Sequence, residues 1–363
     1  MEVFRPISTH YSRFNRYGPL AASAALLVVE DFPAPPFKRW TERLSDSVTC
    51  PVIAVDCACI VPMTLQPKRF ERAFEFRQHN YFTARDPAFQ RAVEAWSERG
   101  LVASWQARIG RVGCSAISSS PDETPRYVAT PRMSALGAHL GADLDIRRRV
   151  RVAPPMREVG QWALRCEDGD DLGLFDILVV SAPAPQAADL LSAIAPKIAA
   201  TAAAVSYAAT WAVMLEADGP DDLKYDGLFF DDGILAWAAR NGSKPGRRGS
   251  TWVLHADPDW SASNLDAGAD AVGAALSDRF CAATTMSPAR VRVASVYRWR
   301  YSLVPAPLSV GALWDDELRL GVCGDWCNGA RIEDAFLSGH AVAGRILGDL
   351  AHRALIRGPS QPD

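Results

Sequence analysis

Long apolar runs, a cationic surplus and complete cysteine motifs are all missing from this 363-residue sequence. The longest apolar run, residues 19–29, is shorter than the roughly 20 residues that a helix needs to cross a bilayer. It begins late for a secretory signal, and no small-residue cleavage site follows it. The net charge of −3 offers no basic patch for nucleic acid or an anionic membrane. We therefore expect neither as a partner.

The eight cysteines do not form a metal-binding pattern. The pairs Cys57/Cys59 and Cys323/Cys327 each lack the second pair that a structural zinc site needs, so no metal site is predicted. Free thiols in a reducing compartment are the simpler interpretation, and we expect a cytoplasmic protein. With 48% hydrophobic and 22% charged residues, the chain can bury one large core or two ordinary ones.

The most informative stretch that is present spans residues 318–343. It predicts a short apolar strand, a turn at Gly324 and Asp325, a loop, and a helix that begins near Ile332. This order places a carboxylate and a helix N-terminus side by side at the end of a strand. A flavin needs both, because Asp325 can accept hydrogen bonds from sugar-alcohol hydroxyls and the helix offers free N–H groups to the reduced ring. A turn aspartate that serves the fold alone is the alternative.

The rest of the chain from residue 81 alternates helices and strands. Helices are predicted over residues 86–96, with Asp86 as cap, over 133–140 and over 266–281. A hairpin is predicted from strands at 145–152 and 162–166, and a buried, parallel-type strand at 176–183. Because ligands of α/β sheets bind at the carboxyl ends of strands, the turn at Pro183 is a second candidate wall of the site.

Residues 204–216, 227–239, 250–256 and 291–300 are rich in aromatic and β-branched side chains. They predict strands of an antiparallel sheet with the helix at 266–281 as its cover. The fold class is therefore α/β, with a second, β-rich domain inserted between two parts of the first.

From residue 81 to about residue 350 the chain resembles the bacterial renalase-like proteins, which are FAD-dependent oxidoreductases related to the flavin amine oxidases. The resemblance is carried by YFTARDP (81–87), AWAARN (236–241), SKPG (243–246), WVLHA (252–256), RWRY (298–301) and VCGDWC (322–327). It implies a glutathione-reductase-like FAD-binding lobe, formed by residues 126–204 and 306–355. The inserted substrate domain would comprise residues 81–125 and 205–305.

The resemblance also implies the reaction. A hydride would leave a dihydropyridine substrate, an abnormal isomer of NADH or NADPH, for the flavin, and molecular oxygen would be the final acceptor. An amine oxidase or a desaturase that uses the same cofactor is the alternative enzyme.

A phosphate-binding loop is missing where the resemblance requires one. No Gly-x-Gly occurs in the sequence, although these glycines permit the tight turn and the close approach of the backbone to a pyrophosphate. Glu30 could imitate the ribose-binding acid, but no such loop precedes it. Residues 1–80 are therefore anomalous. A shifted reading frame and a lineage that has lost its loop both explain them, and in either case a protein unable to bind FAD is a third possibility.

Ten residues are the candidates for the site. Gly324, Asp325, Arg331, Ile332 and Glu333 would hold the flavin, with the N–H groups of the last three at its pyrimidine edge. Pro183 and, by analogy with the family, Val150 would contact the cofactor. The family match makes Arg300, Tyr301 and Asn241 the substrate-side candidates. The alternative for the first two is a strand of alternating residues with the arginine outward, and the alternative for Asn241 is a surface turn. The sequence leaves the oligomeric state open.

Overall fold

The computed structural model describes residues 81–113, 116–142, 144–147, 150–218, 223–231 and 233–357. The predictions made for residues 1–80, including Glu30 as a ribose-binding acid, lie outside the described residues. Within the described ranges, helices and strands alternate as the α/β prediction requires.

Helix α1 (Pro87–Glu98) opens this part of the chain as predicted. The side chain of Asp86 accepts hydrogen bonds from the N–H groups of Ala88 and Phe89, and proline occupies the first turn, where no N–H is needed. The apolar face of α1 packs on the two-stranded sheet of β1 (Val102–Ser104) and β4 (Tyr127–Ala129), and helix α2 (Met133–Leu140) follows.

A seven-stranded sheet forms the larger β-structure of the described residues. Its strands are β2 (Ile109–Val112), β3 (Ile117–Ser119), β9 (Ala208–Ala217), β10 (Gly227–Phe230), β11 (Leu235–Arg240), β12 (Thr251–Ala256) and β13 (Val291–Leu303), in the order β13-β9-β12-β11-β10-β2-β3. All neighbours are antiparallel except β10 and β2. The single strand predicted at 227–239 is thus two strands that pair in antiparallel fashion, and Gly233, shortly before the second strand, adopts φ +76°.

One helix, α6 (Ala269–Thr284), covers this sheet, and the shorter α5 (Pro258–Ser263) precedes it. Leu276 and Phe280 of α6 are fully buried in one core with Val213, Leu215 and Leu254 of the sheet. The predicted antiparallel sheet with a helical cover is therefore confirmed. The opposite sheet face is the one available to line a cavity.

A second core surrounds a three-stranded sheet in the order β14-β15-β8. Strand β8 (Leu178–Val180) runs parallel to β15 (Leu320–Val322), and β14 (Leu313–Asp315) is antiparallel to β15. Every residue of β8 and β15 is buried, as the continuous apolar runs predict. Helices α3 (Ala184–Leu191) and α4 (Pro196–Ala203) follow β8, and the long helix α7 (Ile332–Arg357) follows β15. The two parallel strands therefore end side by side, each feeding a helix.

The hairpin predicted between residues 145–152 and 162–166 is present only at its ends. Val152 bridges Cys166 in antiparallel fashion, and the N–H groups of Ala153 and Glu167 donate to the carbonyl oxygens of Arg165 and Arg151, each at 2.9 Å. Strand β6 (Gln161–Arg165) otherwise pairs with β5 (Met156–Glu158) and β7 (Asp171–Phe175). The tight turn at Val159 and Gly160, both with positive φ, sets the local pairing of β5 with β6. Alternation of apolar residues could not reveal that choice.

Among the described residues, no helix is both long and apolar enough to cross a membrane. Over the same ranges, no group of three or more histidine, cysteine or acidic side chains is placed to hold a metal ion. Among the described residues, Cys166, Cys281, Cys323 and Cys327 are buried and form no disulfide.

Candidate functional site

The turn that follows β15 has a backbone that only glycine accommodates. Gly324 is buried with φ +153°, and a Cβ atom there would lie 2.7 Å from the indole nitrogen of Trp326. Its N–H donates to Ser338 Oγ of α7 at 3.0 Å, which fixes the turn to the helix. The aspartate that follows, Asp325, is thereby held at the carboxyl end of β15 beside the start of α7.

Asp325 is mostly buried, and its environment favours the neutral acid. Burial raises the pKa of its carboxyl group to about 6, although a hydrogen bond from the Trp326 N–H to Oδ1, at 2.7 Å, opposes the shift. Asp334 raises the pKa further by charge repulsion. Carboxyl groups whose pKa is raised by burial are typical of functional sites. The oxygen atoms of such a group can accept hydrogen bonds from the hydroxyl or N–H groups of a ligand.

The ends of β8 and β15 are joined by Trp326. Its indole N–H donates to the carbonyl oxygen of Ala182 at 3.1 Å, and its side chain is only 1% exposed. Pro183, half-buried, directly follows Ala182 and is the N-cap residue of α3. The structure thus brings the two predicted walls, at Pro183 and at Asp325, to the same edge of the sheet.

The first turn of α7 is capped from inside the helix by Asp334. Its Oδ2 accepts hydrogen bonds from the N–H groups of Ala330 and Arg331 and from Arg331 Nε, each at 3.1 Å. The carboxylate lies directly over Gly329, where a Cβ atom would be only 2.1 Å from Oδ2. The Arg331 N–H predicted to face a flavin therefore has a partner within the protein. Ile332 and Glu333 follow it, at positions whose N–H groups have no acceptor within an α-helix.

Glu333 connects the start of α7 to the start of α1. Its side chain is 3% exposed, and Oε1 accepts hydrogen bonds from the N–H groups of Arg85 and Asp86 at 2.6 and 2.5 Å. These bonds to an ionised acceptor are stronger than neutral ones. The Glu333 carboxylate therefore stabilises the contact between α7 and α1. The prediction that its backbone N–H faces a flavin is a separate one.

A cavity of about 390 Å³ lies between the start of α7 and the uncovered face of the seven-stranded sheet. Ala330, Arg331 and Ile332 line it on the helix side. Thr210, Trp237, His255 and Ser302 line it from the sheet, and Tyr81, Asp122 and Arg126 from the segments between. Two of the predicted cofactor-binding residues, Arg331 and Ile332, therefore contact a space large enough for a small planar molecule.

The predicted substrate-side residues are not among the residues that line this cavity. Arg300 is exposed on β13, whereas Tyr301 is half-buried and packs edge-on against Tyr207 at 5.4 Å between ring centroids. The Tyr207 hydroxyl accepts a hydrogen bond from the Ala184 N–H, next to Pro183. Tyr301 is thus connected to the turn after β8, and its neighbours Ser302 and Leu303 reach the cavity.

Asn241 and Val150 are held within the protein. Asn241 is 4% exposed, and its Oδ1 accepts from Arg247 Nη1 at 2.7 Å. Lys244, which directly follows the helical turn Asn241–Ser243, is buried beside the ring of Trp105, and burial lowers the pKa of its amine well below the usual value. Val150 is half-buried against the core of the β14-β15-β8 sheet. The roles assigned to these residues by resemblance stay predictions.

Several residues at the site carry no signal that sequence reasoning could use. Asp334 and Gly329 act as a pair only because the loop before α7 folds back over the helix start. Arg126, Thr210 and Trp237 come from three separate strands or segments and meet only through the sheet order. Trp237 lies in AWAARN (236–241), one of the stretches that carry the resemblance. The sequence pattern there does not show whether Trp237 lines a cavity or packs in the core.

The residues at the end of β15 fit one end of FAD. A buried carboxylate with a raised pKa suits the hydroxyls of the ribityl chain, and the α7 start beyond Arg331 suits the electron-rich edge of the ring.

Comparison with known proteins supports the fold. No family model matches the chain. A solved structure described as an oxidoreductase from Methanosarcina mazei is similar with a TM-score of 0.59 and 12% identity, over 88% of this chain and 100% of that one. A "putative protoporphyrinogen oxidase" from Exiguobacterium has a TM-score of 0.49 and 15% identity, over 63% of this chain and 54% of that protein. At such low identity the first likeness shows a shared fold, and the second carries no argument.

Proposed function

We propose that the chain is a cytoplasmic FAD-dependent oxidoreductase of the renalase-like group. Its substrate would be a dihydropyridine of the abnormal NADH or NADPH type, and molecular oxygen the final acceptor. When bound, FAD supplies a two-electron acceptor for the hydride, and oxygen regenerates its oxidised form with release of hydrogen peroxide.

The observation that carries this proposal is the buried Asp325 at the end of β15, next to the start of α7. Its carboxyl group, with a pKa raised to about 6, would accept hydrogen bonds from the ribityl hydroxyls. Ile332 and Glu333 would direct N–H groups at the ring edge, where reduction leaves negative charge. Gly324 and Trp326 would hold the carboxylate in position.

The cavity beside Ile332 supports the same proposal. It lies where a substrate would contact a ring held at the start of α7. Hydride transfer requires chiefly that donor and acceptor be aligned, so no nucleophile–base pair is needed among the wall residues. Tyr81 and Trp237 would orient a planar substrate by packing on it.

The proposal is tested by anaerobic mixing of the FAD-loaded protein with dihydronicotinamide isomers or with amines. The isomers should bleach the absorbance at about 450 nm that an oxidised flavin shows, and admitting oxygen should restore it with formation of peroxide. Bleaching by amines alone would favour an amine oxidase. A purified protein that stays colourless with added FAD would contradict the proposal.

A further inference from the structure

Residues 120–125, which lie between β3 and β4, form one side of the opening of the cavity, and we call them the mouth segment. Most of its residues are exposed to solvent. Asp122 and Thr124 of the segment also line the cavity. The mouth segment therefore separates part of the cavity from solvent, and a movement of it would change the width of the opening.

The mouth segment has few polar contacts with the rest of the protein. The Thr124 N–H donates to Asp122 Oδ1 at 3.0 Å, and the Asp122 N–H donates to Ser120 Oγ at 3.3 Å. Among the described residues, no hydrogen bond or ion pair joins residues 121–125 to a residue outside 120–126. A surface segment with so few contacts can open without unfolding of its neighbours.

The guanidinium of Arg126 holds the mouth segment in one shape. Nη2 forms an ion pair with Asp122 Oδ2 at 2.5 Å, and Nη1 donates to the Thr124 carbonyl oxygen at 3.1 Å. Hydrogen bonds from Thr124, together with the charge of Arg126, lower the pKa of the Asp122 carboxyl group, so this partner is ionised at neutral pH. The Arg126 side chain is only 6% exposed, so solvent screens the pair less than it screens two surface charges.

Arg126 also joins the mouth segment to an aromatic ring of the cavity lining. Its guanidinium lies over the Tyr81 ring, 5.4 Å from the centroid, and Tyr81 packs in turn against Trp237. The Arg126 carbonyl oxygen accepts a hydrogen bond from the Trp105 N–H at 2.8 Å, which fixes the backbone at this point. One buried side chain therefore contacts three residues that line the cavity.

We propose that the mouth segment is a movable side of the cavity opening, and that Arg126 is the positioning residue that holds it toward the cavity. When the contacts of Arg126 with Asp122 and Thr124 break, the segment moves outward and the opening widens. Arg126 acts through these neighbours and need not touch a ligand. As a gate for substrate the mouth segment rests on the proposed function; as a gate to the cavity it does not.

Chemical labelling of His255 in the full-length protein, as purified, measures access to the cavity without any ligand. His255 is half-buried and lines the cavity from β12. Diethyl pyrocarbonate acylates accessible imidazoles, and mass spectrometry gives the rate at each histidine. In Arg126→Gln the rate at His255 should rise roughly three- to tenfold, because losing a hydrogen bond to a charged group shifts the opening equilibrium by about that factor.

The labelling of His340 is the internal control for this experiment. His340 is half-buried on α7 and is not among the described residues that line the cavity. It should react at the native rate in Arg126→Gln. A parallel rise at His340 would overturn the proposal, because it would show that the substitution loosens the fold and not the opening of the cavity.

Matched variants separate the positioning role from a general loss of packing. Arg126→Lys keeps the charge but cannot direct two bonds from one plane, so the rate at His255 should lie between those of the native protein and Arg126→Gln. Asp122→Ala removes the ion pair from its exposed side and should also raise that rate. Asp231→Ala, which removes an exposed ion pair with Arg111, should not. Equal labelling of His255 in the native protein, Arg126→Gln and Asp122→Ala overturns the assignment.

The two proposals fail separately. A protein that takes up no FAD but shows the selective rise at His255 contradicts the proposed function and leaves the mouth segment standing as a gate to the cavity. A yellow protein that dihydronicotinamide isomers bleach, with His255 labelled equally in all variants, contradicts the gate alone.

Discussion

At the scale of single residues, the charge of the Asp325 carboxylate lowers the stability of the folded protein, although the proposed site needs that carboxylate. Burial favours its neutral form, and the structure supplies it with the Trp326 N–H as a donor. The Gly-Asp pair at the end of an apolar strand was sufficient to predict its position. The burial that raises its pKa could not be predicted, because burial depends on tertiary packing and not on the local sequence.

Asp325 should make the cofactor-free protein less stable as pH rises. Its pKa is higher in the folded state than the ordinary value of 3.8, so the folded protein holds the proton more tightly. Its contribution is fully present below pH 3.8 and is lost as pH rises to about 6. At neutral pH, Asp325→Asn should therefore be more stable than the native protein, by an amount on the order of 2 kcal/mol.

Urea unfolding of the cofactor-free protein at acidic and neutral pH checks this expectation. The gain should vanish near pH 4. Asp231→Asn, which removes an exposed carboxylate paired with Arg111, should show no comparable gain. A loss of stability in Asp325→Asn at neutral pH would show that the carboxylate is structural.

At the scale of elements, the start of α7 is the part most fully specified by sequence. The helix begins at Ile332 as predicted, after a strand and a Gly-Asp turn that are also where the pattern placed them. The sequence pattern could not predict which hydrogen bonds the neighbouring side chains of Glu333 and Asp334 would form. Asp334 caps its own helix, whereas Glu333 reaches the N–H groups before α1, a contact across 248 residues of sequence.

Removing the Glu333 carboxylate should loosen α1 from α7. Glu333→Ala leaves two N–H groups without their acceptor and should cost about 2–4 kcal/mol in the free energy of unfolding. Glu333→Gln keeps an acceptor oxygen and should cost less than half as much. Denaturant unfolding, followed by circular dichroism, measures both. Equal losses in the two variants would mean that the hydrogen bonds to oxygen are not what joins the helices.

At the scale of the whole molecule, the sequence predicted the α/β class and the covered antiparallel sheet, and the structure confirms both. It did not predict that β6 pairs mainly with β5 and β7, because the tight turn at Val159 and Gly160 sets the β5–β6 pairing. It also missed the cavity wall, because Arg126, Thr210 and Trp237 become neighbours only through a strand order that local periodicity does not encode. The division into residues 81–125 with 205–305, and 126–204 with 306–355, remains a prediction.

The most direct measurement of the central claim is the FAD affinity of the full-length protein and of Asp325→Ala, with Asp231→Asn as control. The native protein and the control should take up FAD and turn yellow, with absorbance at about 450 nm. Asp325→Ala should bind at least about tenfold more weakly, which corresponds to one lost hydrogen bond to a charged group. Equal affinity of Asp325→Ala and the native protein, or no uptake of FAD by either, would contradict the account.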